Sequence, residues 1–365
     1  MQIDMPTATD IQQIAAARDP LSVTVYVPTS HVPKDMEHNL LRARALFEAA
    51  MQEVASKGDK HEVELIEEQF EDLLDDRSFW QDMGRSLAIF LTPSSAKEFR
   101  LPNHLEDHFS VNDRFSIIPL LRATTFPQAA FVLALSQNGN RIVEVSASEE
   151  PRVMKVAAMP QNAADAAGVA SISGRSPYGR IQGDEGRKLR LRQYSRAIDH
   201  ALRPTLNGQS LPLILAATQP LLGIYQNSNG YAHLAESVIR GNPDELSEAE
   251  LASSARQILD EIYADELKQL QETFLERRDN GRASTDLSDL ARAAAAGAIA
   301  TLVVDMGAKV SGSVHDDGSL ELHTGHDVLE EIARLAIGSG ARVLAVRSSD
   351  MPGQVQAAGI LRYAI

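Results

Sequence analysis

The chain has 365 residues, 44% hydrophobic and 23% charged, with a net charge of -15, and that length exceeds what one hydrophobic core usually organises, so two or three domains are expected. The absence of cysteine excludes disulfides, thiolate catalysis and cysteine-held metal clusters. An acidic balance disfavours indiscriminate attachment to phosphate backbones, so any nucleic-acid contact has to be local.

The opening stretch, MQIDMPTATDIQQIAAARDP, has neither the basic nor the continuous apolar region of a secretory leader. No later apolar run approaches the roughly 20 residues needed to cross a bilayer, so a cytoplasmic, membrane-free protein is expected. SVTVYVPTS (Ser22 to Ser30) and SLAIFLTP (Ser86 to Pro93) are apolar runs rich in β-formers and closed by proline, and both read as buried strands. Between them, Leu40, Leu41, Ala45 and Phe47, then Val63, Leu65, Ile66, Phe70, Leu73 and Leu74, recur near helical spacing and predict two amphipathic helices. FSIIPLL reads as a third strand, and RATTFPQ after it as a boundary.

AAFVLALSQNGNRIVEVSA holds two β runs around Asn138-Gly139, the dipeptide suited to the positive φ angles of a two-residue hairpin turn. Further on, LPLILAATQPLLGIYQ predicts a buried strand followed by a turn or helix. SEAE (Ser247 to Glu250) has capping-box spacing, and Leu251, Ala255, Ile258, Ile262, Leu267, Leu270 and Phe274 form the stripe of a long helix. After the polar RRDNGRAST, the chain alternates: DLSDLARAAAAGA helical, ATLVVD a strand, GHDVLEEIARLAIGSG a helix ended by glycine, ARVLAVR and GILRYAI strands. The predicted fold class is mixed α/β in three parts, 1–125, 126–280 and 281–365.

Candidate chemistry is sparse. His104 and His108 in HLEDH stand four apart, a metal-ligand spacing on a helix, but Pro102 and Asn103 precede them and a solvated loop is the better reading, so no metal is expected. HDDGS (His315 to Ser319) reads as a turn. Phosphate-loop, nucleophile-elbow and dinucleotide fingerprints are absent, and no cofactor is expected.

The exception is SGRSPYGRIQGDEGRKLRLRQYSRAIDHAL, Ser173 to Leu202, with seven basic side chains from Arg175 to Arg196 against Asp184 and Glu185. Gly174, Gly179, Gly183 and Gly186 let a loop approach a ligand closely. From Arg187 the pattern turns helical, with Leu189, Tyr194, Ile198 and Leu202 toward a core and Arg190, Arg192 and Arg196 available to phosphates. Tyr178 offers a ring for stacking on a base. The plainer reading is an arginine-rich solvated helix.

The Gly/Arg loop feeding RKLRLRQYSRAIDHAL, then PLILA, then ATLVVD, LEEIARLAIGSGARVLAV and AAGILRY, resembles the bacterial branch of the archaeo-eukaryotic class-1 release factor family, Pelota-like and three-domain. The resemblance covers most of Phe131 to Ile365 and is strongest in the last hundred or so residues. It implies a ribosome-associated factor, of rescue, recycling or hibernation type, with a C-terminal α/β/α domain like that of a ribosomal protein. Its partners would be the ribosome, tRNA or rRNA and a translational GTPase. With the basic stretch read as the RNA contact, the RNA-binding residues expected are Arg175, Tyr178, Arg180, Arg187, Lys188, Arg190 and Arg192.

Family members that release peptide carry a Gly-Gly-Gln loop, whereas this chain reads GRIQGDEGRK, with β-branched Ile181 before Gln182. It also lacks the Asn-Ile-Lys-Ser decoding motif. Both departures count against stop-codon reading and peptide release. The alternatives are a peptidyl-tRNA or RNA hydrolase using Gln182, Asp184 or Glu185, and a protein-interaction module recruiting a partner through the acidic N-terminal helices.

Overall fold

The computed structural model describes residues 4–30, 32–125, 129–146, 150–168, 184–207, 211–322 and 326–364. They form two compact units, one of residues 1–126 with 266–365 and the other of residues 127–265.

In the first unit, α1 (Ala8–Ala16) starts on a reciprocal cap in which the Thr7 hydroxyl accepts from Asp10 N–H. An antiparallel sheet follows, in the order β3-β2-β1-β4, from β1 (Ser22–Pro28), β2 (Ser86–Thr92), β3 (Ser95–Leu101) and β4 (His108–Asn112). Every residue of β1 and β2 is buried because both faces are covered. Val23, Val25, Val27, Leu87, Ile89 and Leu91 meet the helices α2 (Met36–Lys57), α3 (Lys60–Asp75) and α4 (Arg77–Gln81), where Phe47 and Phe70 stack at 3.7 Å between centroids. That stack sets the phase of α2: Ala43, Phe47, Ala50 and Val54 face inward, and Leu41, expected inside, is 67% exposed. On the other face, Tyr26, Ala88 and Phe90 join one continuous cluster with Leu290, Val304 and Ile332 from the last hundred residues.

FSIIPLL is not a strand. Ser116 and Ile117 lead into α5 (Ile118–Thr125), whose first N–H groups, otherwise without helical partners, are taken up by the Glu330 carboxylate.

The second unit holds a mixed sheet in the order β7-β6-β5-β8-β9, made of β5 (Ala129–Leu135), β6 (Asn140–Ser146), β7 (Arg152–Met154), β8 (Leu213–Ala217) and β9 (Leu234–Ile239). β5 pairs antiparallel with β6 and parallel with β8, so a crossover carries the chain from the hairpin back to β8. The expected hairpin exists, but Leu135 pairs with Asn140 and neither Asn138 nor Gly139 takes positive φ. Instead the Ser136 hydroxyl accepts from the N–H groups of both residues, at 3.0 and 3.1 Å, and closes a longer loop. The crossover includes α6 (Ala163–Ala166) and α7 (Asp184–Leu206), and α8 (Leu221–Ser228) follows β8. α9 (Glu248–Asp279) begins on the Ser247–Glu250 capping box and lays Leu251, Ala255 and Ile258 against Val132, Val143 and Ile214.

The rest of the chain returns to the first unit with β10 (Ala283–Ser284), α10 (Leu287–Ala295), β11 (Ile299–Asp305), β12 (Ser311–Val314), β13 (Leu320–Leu322), β14 (His326–Asp327), α11 (Val328–Gly338), β15 (Arg342–Val346) and β16 (Ala357–Leu361). One sheet runs β10-β16-β11-β15 with β11 and β15 parallel, and a small one runs β13-β12-β14. HDDGS is the β12–β13 turn. Gly318 takes φ +79 there, and a Cβ on it would come within 2.6 Å of the Arg292 backbone, so both the conformation and the space require glycine.

Candidate nucleic-acid interface

The basic stretch becomes describable at α7. Asp184 and Glu185 open the helix, where the positive end of its dipole favours acids. Leu191, Tyr194, Ile198 and Leu202, at steps of three and four, are all buried. Leu189, expected in that row, lies outside the phase and is 45% exposed; Leu191 takes its place. Polar bonds fix the helix further. The Tyr194 hydroxyl accepts from Asn140 Nδ2 at 2.8 Å, and burial pushes its phenol up to about 12. Ser195 and Ser228 hydroxyls meet at 2.6 Å, and buried Asp199 accepts from Gly230 N–H at 2.8 Å and from Arg203 Nη2 at 3.0 Å.

On the opposite face, Lys188, Arg192, Arg196 and His200 are exposed at steps of four, a straight stripe with about 6 Å between successive positions along the axis. Among the described residues, Lys188, Arg192 and Arg196 form no ion pair. Arg187 and Arg190 are different: Arg187 Nη2 donates to Gln137 Oε1 at 3.1 Å, and Arg190 is half-buried and not free. The continuation of the stripe to His200 was not expected from sequence, although the repeat of four carries it.

Gly186, grouped with the loop glycines, is buried inside α7, because the helix already begins at Asp184. Gly174, Arg175, Tyr178, Gly179, Arg180, Gln182 and Gly183 lie outside the described residues, and of Asp184 and Glu185 only the backbone is described. His104 and His108 do not share a helix: His108 opens β4 and His104 lies in the preceding loop. Among the described residues no group of three or more His, Asp or Glu is placed to hold a metal ion, and no helix is long and apolar enough to cross a membrane.

Residues 127–265, the whole second unit, match the model of bacterial archaeo-eukaryotic release factor family 11, as the sequence resemblance led us to expect. No curated protein matches the sequence. Among solved structures, the chain is similar to Dom34 of S. cerevisiae, a translation termination-like factor involved in RNA quality control and interacting with Hbs1, at 15% identity over 77% of this chain and 80% of that one, TM-score 0.43. It is also similar to archaeal Pelota from a ribosome-bound assembly with ABCE1, at 12% identity over 100% and 96%, TM-score 0.40. A third likeness is to Archaeoglobus fulgidus Pelota, at 10% identity over 100% and 94%, TM-score 0.30.

Proposed function

We propose, with residues 127–265 as a release-factor-type domain of the bacterial archaeo-eukaryotic kind, that the protein is a ribosome-associated translation factor that contacts ribosomal or transfer RNA through the exposed basic stripe of α7. The observation that carries this reading is the exposed repeat Lys188, Arg192, Arg196, which forms no ion pair among the described residues. Like charges four apart on a helix repel, and Arg187 and Lys188 stand near the positive end of the helix dipole. The stripe therefore weakens the helix that carries it, and in a chain of net charge -15 a retained local positive field answers to an anionic partner. Such contacts hold a partner by its phosphates without reading its sequence, which suits a surface that meets folded RNA.

Loop residues Arg175, Tyr178 and Arg180, which precede α7 in the chain, extend the same contact in this reading, with Arg187, Lys188, Arg190 and Arg192 at its helical end. A translational GTPase partner and a role in rescue, recycling or hibernation follow from the family resemblance. Peptide release is not part of the reading, since Ile181-Gln182 stands where Gly-Gly-Gln would be needed.

The test is co-sedimentation of the full chain with purified ribosomes over a salt series, wild type beside Lys188→Ala/Arg192→Ala/Arg196→Ala. Each phosphate contact removed flattens the log-affinity against log-salt slope by about 0.7 for a single-stranded partner, so loss of three lowers it by about 2. A triple variant that is folded and pellets as the wild type does at every salt concentration rejects the reading in favour of a solvated helix.

A further inference from the structure

In the unit formed by residues 1–126 and 266–365, β4 is an edge strand whose alternation sends Phe109 and Val111 toward the α2–α3 core and His108, Ser110 and Asn112 to the opposite face. That polar face, the chain leading into β12 and the first turns of α11 line an open cavity of about 380 Å³, within the size range of small-molecule sites.

The acceptors and donors around it do not balance. Its carboxylates, Glu331 buried and Asp327 and Glu330 half-buried, already accept from the protein. Glu330 accepts from Ser116 Oγ at 2.8 Å, Ile117 N at 2.9 Å and Ile118 N at 3.2 Å. Asp327 Oδ1 accepts from Val310 N at 3.2 Å and Leu329 N at 3.0 Å. Glu331 is held by Arg114 and by Arg334 Nη1, the latter at 2.9 Å.

Donors, by contrast, are left over. Among the described residues, the Ser110 hydroxyl is inaccessible and makes no hydrogen bond, and Arg334, whose side chain is only 6% exposed, has an unpartnered Nε–H. Lys309, exposed among the lining residues, forms no ion pair among the described residues. Its charge is nevertheless felt by both His108, whose pKa burial and then Lys309 lower, and Asp327, whose pKa burial raises and Lys309 only partly brings back, so the ammonium stands near both. Buried donors without acceptors are costly to keep. Here two such donors, from β4 and α11, line one cavity with the exposed ammonium of Lys309, a set suited to an anionic oxygen group. The wall beside them is apolar, with Phe115, Pro119 and Met306, the last 41% exposed.

We propose that this cavity binds a small phosphate monoester, its phosphate held by Ser110, Lys309 and Arg334 and its less polar body lying against Phe115 and Met306. The inference is independent of the α7 interface. It is tested by titration calorimetry of the full chain with inorganic phosphate, adenosine monophosphate, adenosine and a short RNA oligomer. Saturable one-site binding of adenosine monophosphate, weaker binding of phosphate and none of adenosine are expected. Ser110→Ala and Lys309→Ala should each weaken monophosphate binding about tenfold, the effect of removing one hydrogen bond to a charged group. Lys268→Ala, an exposed change on α9, should leave binding unaltered. Lys309 is exposed, so its variant is expected to fold, and a thermal melt checks this. The proposal is overturned if neither phosphate probe gives a saturable heat, if Lys309→Ala binds as the wild type does, or if the RNA oligomer binds while the small probes do not.

Discussion

Removing the basic stripe should make the second unit more stable while it weakens ribosome binding. In Lys188→Ala/Arg192→Ala/Arg196→Ala, two like-charge pairs at i,i+4 disappear, each worth about 0.2–0.5 kcal/mol of repulsion. Alanine is also the best helix former, slightly ahead of lysine and arginine. The side chains removed are exposed and make no ion pair among the described residues, so little is lost in return. The net expectation is a gain of about 0.5–1 kcal/mol, which for a unit of this size raises the midpoint by about 1–4 °C. Urea unfolding followed by circular dichroism, with a thermal melt beside it, measures the difference at low salt. It should narrow as salt screens the repulsion. A variant destabilised by 1 kcal/mol or more would mean that the three cations support the fold, and the argument from an unpaired stripe would fail.

Other expectations are more local. Asp199→Ala strands the Gly230 N–H that the buried carboxylate now holds, and should cost about 1–3 kcal/mol in chemical denaturation. Gly318→Ala has to adopt φ +79 against the Arg292 backbone and should destabilise the first unit by at least about 1–2 kcal/mol, read as a lower urea midpoint. Burial and Lys309 lower the pKa of His108 from its ordinary 6.5; the unfolded chain then binds more protons, so this histidine's contribution is full above 6.5 and is lost as pH falls through the lower folded value. The stability difference between wild type and His108→Asn should therefore shift against the wild type below pH 6.5, and a difference constant with pH would contradict the burial argument. Purified protein should not speed peptidyl-tRNA hydrolysis on stop-codon complexes; release that Gln182→Ala abolishes would restore the hydrolase reading.

Much of the fold was legible where one stretch of sequence determines its own environment. β1 and β2 announce themselves because both faces are buried, so SVTVYV and SLAIFL are continuous apolar runs. The last segment is equally readable, since Asp327 caps α11 and the glycines 338 and 340 close it. What failed depends on distant partners. FSIIPLL has the apolar content of a strand, and it becomes the start of α5 because a carboxylate 213 residues away receives the Ile117 N–H. In α2 the inward face is chosen by Phe47 meeting Phe70 of the next helix, a contact that spacing within α2 does not contain. The misplacement of Leu189 is of another kind: the steps 191, 194, 198 and 202 fit helical spacing better than a row begun at 189, so the signal was present. For the interface, the repeat of four in α7 was visible in the sequence, whereas the engagement of Arg187 was not, because Gln137 reaches α7 from the hairpin loop.

The most direct test places a photo-reactive amino acid at position 192 in α7 and, as a control, at position 64 on the exposed acidic side of α3, then irradiates each full-length protein with purified ribosomes. The account predicts crosslinks to ribosomal or transfer RNA from position 192, diminishing as salt rises, and none above background from position 64. RNA crosslinks of equal yield from both positions, or only protein crosslinks from position 192, would contradict it.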